Sequence, residues 1–395
     1  MVTGLARVPP PPPTDRRLSP LGLDLPAIAW RLLCAFTLSI PFSIFIAQLL
    51  LILSAAAAIA DWWGRGRPPR LRTTLDAPML SFLVVCLVAA LHGLRPLESL
   101  WGCRTYLQMT IIYLVVGYAD SEERCLDLAR WFLVGAVIAA SYTVLGEMVP
   151  LRLPRLFLGR MTQSGQLLFA VSLSLPLLLG RAFPPARLRP ALVLFVLALI
   201  INLKRGVWLG TFASIATIAW LASRRLMWTA AVIITLIVTL DAPVRTRITN
   251  SARDLLLPGN RYDIWLAAVD VVHRFPMGVG RKNGEILRDY PNIPQHHKHA
   301  HNTALQITLE SGYLGLATFV WWMGRFGILS WSLQRRLHAA GGAPYALAVA
   351  IFASFVGFHV AGLVEYNFGD SEVLEIFFVV MGLGLALERR TSHSG

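Results

Sequence analysis

The sequence predicts an all-α polytopic membrane protein of about 12 transmembrane helices, with one long outer loop that carries short amphipathic helices. Three observations predict it. Of 395 residues, 55% are hydrophobic and only 15% charged, with a mean hydropathy of +0.59. Continuous apolar runs recur along the chain, where a transmembrane barrel would show alternation and a soluble chain more polar surface. Arginines collect after every second run. The net charge of +14 therefore reads as topology marking and not as a nucleic-acid footprint. Cys34, Cys86, Cys103 and Cys125 fall in or beside apolar runs without CxxC spacing, so neither a disulfide framework nor a zinc site is indicated.

Residues 1–26 hold the run Pro9 to Pro13 and lack the pattern of a signal peptide; they read as a disordered cytoplasmic tail. Residues 27–240 hold spans one to nine. The first apolar segment, 27–60, is too long for a single crossing of about 20 residues, and Ser39 and Pro41 mark a hairpin that divides it. Further spans fall near 77–94, 105–119, 128–148, 164–180, 190–203, 206–223 and 226–240. Residues 241–303 break the apolar pattern. Spans ten to twelve, near 311–331, 343–364 and 372–388, occupy residues 304–388, and 389–395 form a cytoplasmic tail.

A cytoplasmic amino terminus puts every second connection inside, where arginine concentrates. Arg65, Arg67, Arg70 and Arg72 follow span two; Arg124 and Arg130 follow span four; Arg181, Arg187 and Arg189 follow span six. Arg224 and Arg225, Arg335 and Arg336, and Arg389 and Arg390 follow spans eight, ten and twelve. The 241–303 loop then lies outside, which is the periplasm in a Gram-negative bacterium. Cations on that side oppose the trend and suggest an anionic ligand: Arg104, Arg152, Arg155, Arg160, Lys204, Arg205, Arg261, Arg281, Lys282 and Lys298 are among them. The plain alternative is that a long loop escapes the rule and solvates its charges. That reading suits Arg245, Arg247, Arg253 and Arg288.

Lys204 and Arg205 interrupt the apolar stretch ALIINLKRGVWLGTF, with only Gly206 to make the turn. They either snorkel to lipid phosphates or turn Arg205 into a cavity, where a guanidinium holds phosphate bidentately. In NRYDIW, Asn260 is a helix N-cap, and Tyr262, Trp265, Leu266, Val269 and Val272 recur at helical spacing, so 261–273 reads as an amphipathic helix. Arg261 in its first turn opposes the helix dipole by roughly 0.3–1 kcal/mol. An anion bound there would reverse that balance; otherwise the arginine reaches into water. Phe275-Pro276-Met277-Gly278-Val279-Gly280 ends the helix as a turn signal, and no strand precedes it to make a nucleotide loop.

His296, His297, His299 and His301 follow, with no cysteine or carboxylate in the cluster and no zinc spacing. His301 precedes Asn302 and Thr303, both possible caps of a helix that re-enters the membrane. An imidazole on that boundary has the chemistry to take a proton from a hydroxyl at neutral pH. Glu310 should turn inward, as a structural partner for an arginine or, alternatively, as a catalytic group.

The ordered set of Arg205 at a span end, Arg261 in NRYDIW, the PMGVG turn, and His301-Asn302 followed by Leu305, Glu310, Gly312, Leu314 and Gly315 resembles the bacterial O-antigen ligase family. Its motifs cover roughly 203–316, and the span layout extends the likeness. The family shares a superfamily with O-antigen polymerases. The resemblance implies an inner-membrane, inverting glycosyltransferase with a periplasmic site. Such an enzyme moves O-antigen polysaccharide from undecaprenyl pyrophosphate to lipid A–core, without cofactor, metal or ATP. It implies that Arg205 and Arg261 bind pyrophosphate and that His301 is the general base. Lys204 and Asn302 then contact substrate, and Arg104, Arg152, Arg155 and Arg160 meet acceptor phosphates. LKRGVW departs from the family pattern, which has serine just before the arginine. A polymerase or a protein O-oligosaccharyltransferase would use the same donor. A flippase for a lipid-linked sugar is the reading from another class, but its paired, interrupted half-repeats are not seen.

Overall fold

The computed structural model describes residues 24–65, 71–148 and 160–393. Among them every regular element is helical. The α-helices are α1 (Leu25–Ser39), α2 (Ile44–Gly64), α3 (Asp76–His92), α4 (Pro96–Cys103), α5 (Thr110–Tyr118), α6 (Glu122–Met148), α7 (Arg160–Leu179) and α8 (Pro185–Asn202). There follow α9 (Arg205–Leu221), α10 (Arg224–Leu240), α11 (Ala242–Thr249), α12 (Ser251–Leu256), α13 (Arg261–Arg274), α14 (Thr303–Leu337), α15 (Gly342–Gly362) and α16 (Ser371–His393). The expected tail before residue 24, together with Arg67 and Arg70, lies outside the described residues.

Among the described residues, five helices, α2, α6, α7, α8 and α15, are long and apolar enough to cross a membrane, or six if α10 and α11 form one broken span, bent by 98°. This is a membrane protein. The expected hairpin is present: α1 stops at Ser39, and Ser43 opens α2 by accepting the Ile46 N–H. The segment expected as one span at 105–119 is instead a tight 3-10 turn, Arg104–Met109, followed by α5.

Lipid tails are as apolar as leucine, so helix association rests on close packing and interhelical hydrogen bonds. Both are visible. A Cβ on Gly210 of α9 would meet Gly357 O of α15 at 2.5 Å, so these two helices cross backbone to backbone. Ser172 Oγ on α7 lies 2.6 Å from Ser214 Oγ on α9. Phe358 and Phe377 stack at 4.1 Å, joining α15 to α16, and Phe82 and Trp322 join α3 to α14 at 5.6 Å.

The connections sort to two ends. At one, Arg389 donates to Arg72 O at 2.7 Å, Arg390 to Asp120 O at 3.3 Å, and Tyr345 to Leu221 O at 2.9 Å. At the other, Leu94 N–H donates to Val279 O at 2.9 Å, and Lys204, Arg261 and Thr303 all reach Glu365.

That second end is built on a break. Gly312 has φ +69°, which interrupts the helical bonding of α14. The freed groups are taken by the PMGVG segment: Val279 N–H donates to Leu309 O at 2.9 Å, Gly280 N–H to Glu310 O at 3.0 Å, and Tyr313 N–H to Pro276 O at 3.1 Å. A Cβ on Gly312 would sit 2.2 Å from Pro276 O, and one on Gly278 would sit 2.6 Å from Glu310 O. The segment read from sequence as a turn is thus the brace that satisfies a helix broken inside the protein.

Candidate active site

Four elements converge at the braced end. The α8–α9 hairpin turns on Leu203, whose φ of +51° ends α8. Gly206, expected to make that turn, instead permits close approach, since a Cβ there would meet Glu365 Cγ at 2.6 Å. Lys204 is the N-cap of α9 and Arg205 its first residue. The Arg205 guanidinium donates to Asp254 Oδ2 at 2.8 Å and to Ser251 Oγ and Arg247 O at 3.3 Å each, which ties it to the α11–α12 turn.

Arg261 is the first residue of α13. Asn260 holds the N-cap position, but its side chain makes no cap hydrogen bond; Asp263 accepts the Gly259 N–H at 2.8 Å instead. The core face of α13 is Ile264, Ala267, Ala268, Val271 and Val272; of the stripe read from sequence, Val272 lies on this face, whereas Tyr262, Leu266 and Val269 are exposed. Both stripes are apolar, and helical spacing does not say which one meets protein.

The Arg261 charge is met by Glu365, in the connection between α15 and α16. Glu365 Oε1 accepts from Arg261 at 2.9 Å, while Oε2 lies 3.9 Å from Lys204 Nζ and 4.0 Å from His301 Nδ1. Burial alone would raise the Glu365 carboxyl, but the adjacent His301 and the charges of Lys204 and Arg261 hold it below its ordinary value. Glu365 belongs to none of the motifs legible in the sequence. Its signal was an acid at a span end on the face where cations gather.

His301 adopts φ +48°, rare for a residue with a side chain. Its loop is pinned at Ala300, whose N–H donates to Gln306 Oε1 at 2.7 Å and whose carbonyl accepts from Trp265 Nε1 at 2.9 Å. The buried Nδ1 faces Glu365, beyond direct hydrogen-bond reach. Nε2 lies 3.3 Å from His297 Nδ1. The neighbouring His299 is pushed down to about 4, chiefly by burial and then by His301, so it is neutral at pH 7. Among the described residues, no group of three or more His, Cys, Asp or Glu is arranged to hold a metal.

Arg205, Arg261 and His301 line one cavity of about 800 Å³. Its remaining wall is largely apolar, with Leu199, Ile200, Leu209, Phe212, Ile215 and Ile237 among the lining residues. From Arg205 to Ile215 the α9 wall runs about 15 Å at 1.5 Å per residue. The cavity therefore combines two cations and an imidazole with a surface suited to a hydrocarbon chain.

Other expected residues lie elsewhere. Asn302 spends its side chain on structure, accepting from Leu305 N–H and donating to Leu363 O, both at 2.9 Å. Arg104 is exposed and lies over the Trp101 ring at 4.2 Å; it is not among the residues that line the cavity. Arg160 opens α7, with its side chain outside the described ones, as are Arg152 and Arg155 entirely. Glu310 meets Arg281 at 3.6 Å, the structural partnership expected of it.

Residues 190–320 match a family model described as O-Antigen ligase. The match runs from α8 into α14 and contains Arg205, Arg261 and His301, but stops short of Glu365. No curated protein matches the chain. Over residues 190–320, about a third of its length, the chain is therefore similar to the O-antigen ligase family.

Proposed function

We propose that this protein is an inverting glycosyltransferase that moves a glycan from undecaprenyl pyrophosphate to lipid A–core on the periplasmic face of the inner membrane. The observation that carries the reading is the single cavity in which Arg205, Arg261 and His301 meet an apolar wall. A polyprenyl chain would lie along α9, and its pyrophosphate would meet the arginines at the N-termini of α9 and α13, where free N–H groups also favour anions.

His301 takes the proton of the acceptor hydroxyl. The hydroxyl oxygen attacks the anomeric carbon, the carbon–oxygen bond to phosphate breaks, and pyrophosphate leaves with the bonding electrons. The arginines offset the charge that builds on the leaving group. Glu365 offsets the imidazolium that forms at His301. Arg104, Arg152, Arg155 and Arg160 are assigned to acceptor phosphates, Lys204 to the donor side, and Asn302 to holding the loop near the acceptor.

The periplasmic assignment draws on charge: Arg72, Arg389 and Arg390 share the end opposite the cavity, as a cytoplasmic face requires. In the twelve-span layout the connections that build the site all lie outside.

The test is reconstitution of the purified protein in vesicles with undecaprenyl-pyrophosphate glycan and lipid A–core. A slower-migrating acceptor is expected without nucleotide. Lengthening of the donor glycan alone would assign a polymerase, glycosylation of protein an O-oligosaccharyltransferase, and donor crossing the bilayer without transfer a flippase.

A further inference from the structure

Outside the cavity, one buried carboxylate holds both loops that build it. Glu310 Oε1 accepts from Gln306 Nε2 at 2.9 Å, and Gln306 Oε1 in turn accepts the N–H of Ala300, immediately before His301. Glu310 Oε2 accepts from the Tyr366 hydroxyl at 3.1 Å, and Tyr366 immediately follows Glu365. Each oxygen of a single side chain therefore ends one residue short of a member of the His301–Glu365 pair. Arg281, 3.6 Å from Glu310 and itself donating to Tyr106 at 2.8 Å, is a third partner of the carboxylate. Glu310, Arg281 and Gln306 are all buried.

The loops have other ties. Asn302 bonds Leu363 O, and Thr303 bonds Glu365 O at 3.0 Å. These hold the chain after His301 and the backbone at and before Glu365. The carbonyl of Ala300 is held by Trp265 at 2.9 Å, whereas its N–H and the Tyr366 hydroxyl are held through Glu310.

We propose that Glu310 is a positioning residue that sets the 4.0 Å spacing between His301 and Glu365, touching neither substrate. The role of that spacing in transfer rests on the function proposed above. Misplacing a proton acceptor by about 1 Å costs on the order of a hundredfold in rate. Since Glu310→Gln strands a buried guanidinium and risks the fold, the two arms are cut separately. Gln306→Leu releases the histidine loop, and Tyr366→Phe releases the glutamate loop.

Each variant is expected to lower kcat by about tenfold or more while the donor KM stays within about twofold. Both cuts disturb one spacing, so the double variant should lose less than the product of the two. A second readout needs no transfer: the rate at which diethyl pyrocarbonate modifies His301, followed by mass spectrometry, should rise several-fold in each variant. Unchanged kcat in both variants, a donor KM that rises in step with the fall in kcat, or an unchanged modification rate would overturn the proposal. A wild-type protein that transfers nothing, with the modification rates moving as expected, would refute the function and leave the positioning role standing.

Discussion

Glu365→Gln separates donor binding from turnover. The Glu365 carboxylate lies 2.9 Å from Arg261, 3.9 Å from Lys204 and 4.0 Å from His301. A unit charge at 4 Å is worth about 4 kcal/mol at an effective dielectric of about 20 and about 1 kcal/mol in water. The side chains of Glu365 and His301 are 12% and 22% exposed, so the pair falls between these limits. Losing about 2–3 kcal/mol of support for the imidazolium that forms in the transition state should slow kcat by roughly 30- to 150-fold. The same substitution removes a negative charge from the proposed pyrophosphate site, and glutamine keeps an acceptor for Arg261. Donor affinity should therefore rise, by up to about tenfold. Binding of undecaprenyl pyrophosphate by calorimetry and glycan transfer by gel shift, on one preparation, give the two numbers. Wild-type turnover in Glu365→Gln, or weaker donor binding, would refute the reasoning.

Three further predictions follow from the same geometry. Arg205→Lys keeps the charge and loses the planar fork, so donor affinity should fall about tenfold; unchanged affinity would leave Arg205 as a tie to Asp254 alone. Gly312→Ala forces a side chain into φ +69° and against Pro276 O, and should cost more than about 2 kcal/mol. Thermal unfolding in detergent measures it against Gly324→Ala, where a Cβ meets nothing within 4 Å. His299 binds a proton near 6.5 when unfolded but only near 4 when folded. The unfolded state thus holds more protons in that window, and stability falls as pH drops through it, by about 3 kcal/mol in total. Glu365, with its carboxyl below the ordinary value of 4.5, stays ionised over most of the window. His299→Gln should therefore flatten the unfolding curve between pH 6.5 and 4.

Apolar run length carried the helical architecture well, because a helix is the simplest way to satisfy backbone inside a bilayer. The α1–α2 hairpin at Ser39 and the start of α13 at Arg261 were both legible. The face of α13 was not. Tyr262, Leu266 and Val269 repeat at the same spacing as Ile264, Ala268 and Val271, and only tertiary packing decides which stripe is covered. The PMGVG segment read as punctuation because its partners, Leu309 O and Glu310 O, exist only where α14 breaks at Gly312. Arg205, Arg261 and His301 stood out as polar residues at apolar boundaries, and the structure brings them to one cavity. Glu365 did not, since its contacts to Lys204, Arg261 and His301 span 161, 104 and 64 positions along the chain and no local pattern announces them.

The measurement that bears most directly on the account compares donor binding and glycan transfer in wild-type protein and His301→Ala, reconstituted with undecaprenyl-pyrophosphate glycan and lipid A–core. The account predicts that wild type forms product and that His301→Ala binds donor as well but transfers nothing detectable. Transfer retained in His301→Ala would contradict it.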